Sequence, residues 1–475
     1  MFVQQFFTKG IAHSSYLLGG SRTCAIIDPR RDVQVYIEAA QDMGMAVTHI
    51  LETHLHADFI SGHMDLAEKT GARIYAPKSA RCGFEHVPVA QGDRVAVEDM
   101  DLKVLETPGH TPEHVSYVVA DRSRGREPVA VFCGDTLFVG DVGRPDLFPG
   151  RAKELASKLY DSLHRKLMKL PDSCEVYPAH GAGSLCGRAM GDKRTSTVGY
   201  ERRHNAAVRI ASRKEFVRSL TTNMPPAPDH FGRCSATNCA GPTLVRKLAQ
   251  LAPMAPEAFA RRARRKGTLL LDARSYAAFG GQHIPGAYHI DLGGNFSTFA
   301  GWVLPADRDI LLVMEDDTEA PEAATLLRRV GLDRVVGYLE GGMFAWATAG
   351  LPTGHVPQLS APELYEMVRG KGGGLVVDVR APGEYQRMHI EGALNIPAPD
   401  LRTRHTELRR GVPIVVICST GHRSSLAASL LKQRGFDDVR NVAGGMTGYA
   451  AAGYASECPM CVAPHVPALA ERDKA

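Results

Sequence analysis

The chain has 475 residues, 44% of them hydrophobic and 23% charged, which predicts two to four globular domains of roughly 100 to 200 residues each. A net charge of +4, with no Lys/Arg cluster interleaved with aromatic residues, argues against nucleic-acid binding. Ten scattered cysteines suggest reduced thiols, and the lack of a leader-like N-terminus or of a long apolar run predicts a cytoplasmic protein with no membrane span.

Residues 1–241 are predicted to form a metal-binding domain. Apolar runs at residues 15–18 and 24–27, separated by two glycines, predict a pair of short strands. Residues 46–51 predict another strand, which ends just before a cluster of histidines. Residues 152–170 carry leucines at the spacing of one helical face, which predicts a helix packed on a sheet.

Four segments rich in histidine and aspartate follow β-like runs in this domain. Loops at strand ends commonly carry ligands and catalytic groups. The segments are residues 53–63, 108–114, 134–138 and 178–181. In this order they resemble the ligand segments of the metallo-β-lactamase fold, and the resemblance implies an αββα sandwich.

Phe59 bears on the number of metal ions. Hydrolases of the glyoxalase II type, which have the same metallo-β-lactamase fold, carry the motif His-x-His-x-Asp-His. The last Asp-His pair of this motif helps to hold a second metal. Phe59 stands at the final position here. This loss favours a single metal held by His54, His110 and Asp135. Two histidines and one carboxylate leave coordination positions open on one face, as in non-haem Fe(II) oxygenases.

These residues resemble the persulfide dioxygenase family. The resemblance implies one Fe(II) per chain and oxidation of a low-molecular-weight thiol persulfide, most simply glutathione persulfide, by O2 and water to sulfite and thiol. His56 and Asp58 are expected to orient the ligands, and His180 to line the pocket. Arg144 follows the third ligand segment and is expected to contact a substrate carboxylate.

The second half of the chain contains an internal repeat with a period of about 105 residues. This period indicates a duplicated domain, because solenoid units repeat every 20 to 50 residues or so. A linker at 242–257 is expected to lead into two small α/β domains at 258–354 and 355–455, with a tail at 456–475. The repeated segments are 271–274 with 377–380, 283–287 with 389–393, and 340–343 with 443–446.

The second copy carries a thiol at the start of a strand-to-helix loop. Backbone N–H groups and a helix N-terminus around Cys418 favour the thiolate. The loop resembles that of the rhodanese sulfurtransferases, which implies Cys418 as persulfide carrier, Arg423 as anion contact, and exchange of sulfur with thiosulfate and sulfite. The remaining loop residues expected to bind substrate are Ser419, Thr420, Gly421 and His422.

Met314 stands at the equivalent position in the first copy, followed by an acidic loop at residues 315–319. This loop has no thiol and repels anionic sulfur donors. The first copy is therefore predicted to be inactive.

The joined order of these domains resembles persulfide dioxygenase fusion proteins over nearly the whole chain. Two alternatives stay open at this point: a two-zinc glyoxalase II-like thioester hydrolase fused to a sulfurtransferase, and a sulfur-relay scaffold with a vestigial metal. A homo-oligomer is also left open. Cys133 and Cys186 are either reactive or inert, and Cys458 with Cys461 is a redox pair, half of a metal site or part of a dispensable tail.

Overall fold

The structure is a computed structural model that describes residues 1–188, 190–222, 224–370 and 374–455. Within these residues the strands form two six-stranded and two five-stranded sheets. None of the helices in the described ranges combines the length and apolar character needed to cross a bilayer. The predicted tail, with Cys458 and Cys461, lies outside the described residues.

The first half of the chain forms two sheets whose strands neighbour one another in chain order. The first sheet contains β1 (Phe2–Thr8), β2 (His13–Gly19), β3 (Thr23–Ile27), β4 (Ala46–Leu51), β5 (Arg73–Pro77) and β6 (Val87–Val89). The second contains β7 (Arg94–Val97), β8 (Met100–Glu106), β9 (Val115–Asp121), β10 (Pro128–Gly134), β11 (Glu175–Pro178) and β12 (Ser196–Thr197).

Buried side chains from both sheets meet in one core between them. Tyr16 on β2 and Phe132 on β10 belong to this core, with their ring centroids 5.2 Å apart. Separate apolar clusters lie under helices on the outer faces of the two sheets. The predicted αββα sandwich is therefore confirmed. Its helices are α1 (Gln34–Asp42), α2 (His63–Thr70), α3 (Ala152–Asp161), α4 (Val198–His204), α5 (Arg213–Thr221) and α6 (His230–Ala240).

The helix predicted over residues 152–170 is α-helical only in its first part. A π-helical turn, Ser162–Lys166, and a 3₁₀ turn, Leu167–Lys169, follow α3. Leucines spaced four apart drift around an α-helix of 3.6 residues per turn. The wider π turn keeps Leu163 and Leu167 on the buried face.

Two further sheets share one strand order, which supports the predicted duplication. The first runs β13-β17-β16-β14-β15 and contains β13 (Ala252–Met254), β14 (Thr268–Asp272), β15 (Tyr288–His289), β16 (Asp309–Val313) and β17 (Val335–Leu339). The second runs β18-β22-β21-β19-β20 and contains β18 (Gln358–Leu359), β19 (Leu375–Asp378), β20 (Leu394–Asn395), β21 (Ile414–Ile417) and β22 (Val439–Val442).

Short helices connect the strands of each repeat, as expected for small α/β domains. The first repeat has α7 (Pro256–Ala263), α8 (Tyr276–Gly281), α9 (Phe296–Val303), α10 (Ala320–Arg329) and α11 (Gly342–Thr348). The second has α12 (Ala361–Arg369), α13 (Pro382–Arg387), α14 (Leu401–Arg404), α15 (His422–Gln433) and α16 (Gly445–Ala451). Other 3₁₀ turns are Lys78–Ala80, Val245–Lys247, Asp317–Glu319, Ala398–Asp400 and His405–Glu407.

By internal contacts the chain divides into two compact units. One comprises the described residues of Met1–Ala252, Gly293–Asp309 and Thr318–Gly337, and the other comprises those described within Pro253–Leu292, Ile310–Asp317 and Tyr338–Ala475. Segments of the first repeat thus belong to the unit that contains the αββα sandwich. The sequence did not predict this grouping.

Candidate metal centre and sulfur-transfer loop

The three predicted metal ligands lie together at the ends of the sandwich strands. His54 follows β4, His110 lies between β8 and β9, and Asp135 directly follows β10. The Oδ2 atom of Asp135 is 3.3 Å from His110 Nε2 and 3.9 Å from His54 Nε2. All three side chains are buried, and their ligand atoms lie within 4.8 Å of one another.

Two orphaned imidazole nitrogens show that this cluster fits a cation. Neither His54 Nε2 nor His110 Nε2 has a hydrogen-bond partner among the described residues, although both are buried. The opposite nitrogens are held: His54 Nδ1 lies 2.9 Å from Thr53 Oγ1, and His110 Nδ1 lies 2.8 Å from the Arg144 carbonyl. An Nδ1–H donated to these oxygens leaves the Nε2 lone pairs free for a metal, which removes the cost of two unpaired buried nitrogens.

The protonation states also suit a divalent cation. Burial lowers the pKa of His54, and neighbouring imidazoles lower it further. Burial likewise lowers the pKa of His110, although Asp135 opposes the shift. Burial alone would raise the pKa of Asp135, but His180 and His110 outweigh it and hold that pKa below its usual range. Neutral imidazoles beside a carboxylate are the forms that bind metal.

His180 and Asp58 lie beside this cluster. His180 Nδ1 is 2.8 Å from Asp135 Oδ1, and its Nε2 is 2.8 Å from Asp58 Oδ2. Burial disfavours the imidazolium, yet these two carboxylates raise the pKa of His180 well above its usual value. Cys186 is buried next to them, and burial raises the pKa of its thiol, with Asp58 and Asp135 acting in the same direction.

His56 packs against His54, and Phe59 packs against His56. The buried ring of Phe59 packs on His13 and His56, with centroids 4.2 and 4.4 Å apart. His56 Nε2 lies 3.2 Å from Asp28 Oδ1, and these two residues form a buried group with Glu52. His56 therefore faces these acids and lies outside the three-residue cluster of His54, His110 and Asp135.

Arg144 is not placed as its predicted substrate contact requires. Its side chain is 2% exposed, and Nε and Nη2 donate to both carboxylate oxygens of Asp146 at 2.7 and 2.8 Å. The remaining donors reach the carbonyls of Leu185 and Pro225. The guanidinium is thus held by hydrogen bonds within the protein, while the Arg144 carbonyl orients His110.

His114 is a site residue that sequence reasoning missed. Its Nε2 accepts the backbone N–H of Asp135 at 2.9 Å, and its ring stacks on His54 at 4.8 Å between centroids. Burial lowers its pKa to about 3, so it stays the neutral acceptor. A Cβ at Gly134 would lie 2.5 Å from His114 Nε2, so only glycine permits this approach. A second histidine four residues after His110 was the sequence feature that could have indicated this role.

Cys418 lies between β21 and α15, as predicted. The thiol is 1% exposed, and it accepts a hydrogen bond from the Gly421 N–H at 3.1 Å and from Ser424 Oγ at 3.3 Å. Gly421 has a φ of +104°, in the left-handed region that favours glycine. A Cβ at Gly445 would lie 2.4 Å from the Cys418 carbonyl, which accounts for the Gly-Gly-Met motif beneath the loop.

Arg423 has a partner that the sequence analysis did not identify. It binds both carboxylate oxygens of Glu384 at 2.7 Å and Ser419 Oγ at 2.8 Å. Burial would raise the pKa of Glu384, but Arg423 lowers it to about 2. In this state the guanidinium is anchored at the loop base. Thr420 is exposed, and His422 Nδ1 lies 3.0 Å from Asp291.

Met314 occupies the corresponding place in the first repeat. It follows β16, is buried, and precedes the acidic loop, in which Asp317 accepts the Gly341 N–H at 3.0 Å. A Cβ at Gly342 would lie 3.1 Å from the Met314 carbonyl, much as Gly445 approaches Cys418. Both loops therefore pack on a glycine of the repeated Gly-Gly-Met motif, although the side chains that they carry differ.

Comparison with known proteins matches each half to a family. Residues 8–180 match the metallo-β-lactamase superfamily, and residues 255–349 and 360–452 match the rhodanese-like domain. A hydroxyacylglutathione hydrolase of Rhodospirillum rubrum is 40% identical over 159 residues, 33% of this chain and 57% of that protein. The mitochondrial persulfide dioxygenase ETHE1 of Bos taurus is 30% identical over 239 residues, 48% of this chain and 84% of that protein.

A solved structure extends the similarity into the second half. The crystal structure of a metallo-β-lactamase from Staphylococcus aureus subsp. aureus COL is 36% identical, with a TM-score of 0.64, and the match covers 71% of this chain and 98% of that one. The first domain is thus related to both hydrolases and dioxygenases. With these matches, the chain belongs to the metallo-β-lactamase superfamily and carries two rhodanese-like domains after its metallo-β-lactamase domain.

Proposed function

We propose that the protein is a persulfide dioxygenase coupled to a rhodanese sulfurtransferase. The observation that supports this most is the cluster of His54, His110 and Asp135, in which two buried Nε2 atoms lack partners while Phe59 takes the place of a second-metal imidazole. The reaction is RSSH + O2 + H2O giving RSH and sulfurous acid. The persulfide sulfur is oxidised and O2 is reduced.

One Fe(II), held by His54, His110 and Asp135, would supply the redox centre at which persulfide sulfur and O2 react. The protein's part is to keep that ligand set in place. Thr53 and the Arg144 carbonyl orient the imidazoles, and His180 positions the carboxylate of Asp135. Nearby apolar side chains exclude bulk water from the reacting sulfur. They are Ala57, Phe138, Cys186 and Phe231.

The rhodanese step uses Cys418 as nucleophile. Its thiolate attacks the outer sulfur of thiosulfate, a new S–S bond forms, and sulfite leaves with the electron pair of the broken bond. A low-molecular-weight thiolate, such as that of glutathione, then takes the sulfur and restores Cys418. The Gly421 N–H and the Ser424 hydroxyl stabilise the thiolate, and the N-terminus of α15 adds its positive end.

Metal analysis and oxygen uptake test the proposal together. We expect about one iron per chain after anaerobic loading, with O2 uptake and sulfite release when glutathione persulfide is added. His110→Ala should lose iron and O2 uptake but keep sulfur transfer, whereas the exposed control His204→Ala should keep all three. Intact O2 uptake in His110→Ala would mean that the metal is not the catalyst and would favour the scaffold alternative.

A two-metal thioester hydrolase is the second candidate. It is favoured by the buried group of Asp58, His180 and Cys186, which offers three ligand atoms within 4.8 Å of one another. Two zinc ions per chain, with cleavage of a glutathione thioester and no persulfide-dependent O2 uptake, would establish this function and reject the dioxygenase.

A further inference from the structure

We propose that the first rhodanese-like repeat forms one wall of the entrance to the metal centre, and that Thr298 on α9 is a specificity-determining residue that limits the size of the thiol persulfide admitted. The inference rests on the proposed dioxygenase function. It also accounts for the presence of a repeat in which Met314 has replaced the nucleophile.

A small pocket borders Asp58, beside the metal cluster. Its lining includes Ile11, Asp58, Leu185, His230, Phe231 and Thr298. Asp58 connects this pocket to the metal cluster, because its carboxylate lies 2.8 Å from His180 and His180 lies 2.8 Å from Asp135. The Oδ1 atom of Asp58 is buried and has no hydrogen-bond partner within the described part of the chain. A substrate that carries an N–H donor would satisfy this oxygen.

The wall contributed by α9 is held at fixed points. Thr298 Oγ1 donates to the Gly10 carbonyl at 2.8 Å, next to the lining residue Ile11. A Cβ on Gly301, one helical turn later, would lie 3.0 Å from the His230 ring, so the helix backbone packs directly on another lining residue. The part of α9 that carries Thr298 is therefore held at two points beside the pocket.

The same repeat is also bound to the loop that carries His54 and Asp58. The Ile60 N–H, two residues after Asp58, donates to the Arg329 carbonyl at 2.6 Å. Arg31 is 2% exposed and binds both carboxylate oxygens of Asp333, at 2.6 and 3.0 Å. Such bidentate pairs fix geometry as well as adding energy.

A second bidentate pair lies beside the first. Arg329 binds both oxygens of Asp32 at 2.7 Å. Together the pairs tie the end of α10 to the turn that follows β3. These contacts depend on the fold of the repeat and do not involve a thiol. A repeat without a nucleophile can therefore still form the wall of the pocket.

Substitution at Thr298 tests the wall by changing the space in the pocket. For Thr298→Phe we expect kcat/KM with glutathione persulfide to fall about tenfold or more, while kcat/KM with the smaller cysteine persulfide changes less than about threefold. Glutathione binding to the iron-loaded protein, measured anaerobically by calorimetry, should weaken in parallel, with iron content unchanged. Thr348→Phe, on an exposed face of α11 in the same repeat, is the matched control and should change nothing.

Thr298→Ala provides a second variant should the larger side chain prevent folding. It should shift the preference in the opposite direction, toward glutathione persulfide. An unchanged ratio between the two substrates, together with unchanged glutathione binding, would overturn the inference. Failure of the unmodified protein to consume O2 with either persulfide would instead overturn the proposed function. The calorimetric measurement of glutathione binding would still test whether Thr298 lines the binding pocket.

Discussion

In both rhodanese-like repeats, a buried aspartate at the end of a strand binds the arginine two residues later through two hydrogen bonds. In one repeat Arg274 also donates to the Gln282 carbonyl, and in the other Arg380 donates to the Met388 carbonyl at the same 2.6 Å. The pairs are Asp272 with Arg274 and Asp378 with Arg380. The strand order is also shared. The frame of the repeat therefore depends on local contacts that are independent of any nucleophile.

The two repeats differ in the loop that follows β21 in one repeat and β16 in the other. Cys418 accepts hydrogen bonds from its own loop, and Glu384 anchors Arg423 beneath it. In the first repeat Met314 replaces the thiol, and Ala278 stands six residues after the strand aspartate, where the second repeat has Glu384. Loss of the thiol is thus accompanied by loss of the carboxylate that positions the arginine. Chemistry was changed at a few loop positions while the frame was kept.

Removal of the thiol from the second repeat should produce the largest effect. In Cys418→Ser we expect sulfur transfer from thiosulfate to fall at least about a thousandfold, because a serine hydroxyl is not ionised at neutral pH. Persulfide-dependent O2 uptake should be spared. Cys82→Ser, at a half-buried thiol, is the control. Unchanged transfer in a thiocyanate or sulfite release assay would refute the assignment of Cys418.

Breaking the Asp–Arg ion pair found in each repeat should lower the stability of both repeats alike. Asp272→Asn and Asp378→Asn each leave a buried arginine without its charged partner, and we expect each to lower the free energy of unfolding by about 3 kcal/mol. Only Asp378→Asn should also reduce sulfur transfer. Denaturant melts of the two variants provide the measurement, and a large difference between them would show that the frames are not equivalent.

Glu384→Gln should have an intermediate effect on sulfur transfer by the second repeat. The amide cannot bind the guanidinium through two charged oxygens, so Arg423 loses its fixed orientation below the loop. We expect kcat/KM for thiosulfate to fall about tenfold, with little change in O2 uptake. Glu366→Gln, at an exposed position of α12, should match the unmodified protein. Equal rates in the two variants would mean that the ion pair is only structural.

Restoring a thiol to the first repeat should have the smallest effect. Met314→Cys in the Cys418→Ser background should recover less than about 1% of the original transfer rate, because the acidic loop repels thiosulfate. The arginine anchored by Glu384 also has no counterpart there. Recovery of a substantial fraction of the rate would show that the single Met replacement, rather than the whole loop, separates the two repeats.

Much of the candidate site could be predicted because its parts are local to the ends of strands. His54, His110 and Asp135 each follow or border a β-like run, and neighbouring strands in a sheet bring such ends together. The Cys418 loop was predicted on the same grounds. Arg144 was different: its position after a ligand segment suggested a substrate contact, but Asp146 and two distant carbonyls occupy its donors. Those carbonyls are far away in sequence and could not be anticipated.

The sequence by itself determined the sandwich, the duplication and the candidate site residues, because strand periodicity, repeated motifs and the residues after each strand are local properties. Tertiary structure alone decided which partners satisfy those groups. Only folding brings His114 to the Asp135 backbone, Glu384 to Arg423, and Thr298 to a pocket that also contains Asp58. Hydrogen bonds and packing act through space, so residues separated by dozens or hundreds of positions become neighbours only once the cores have formed.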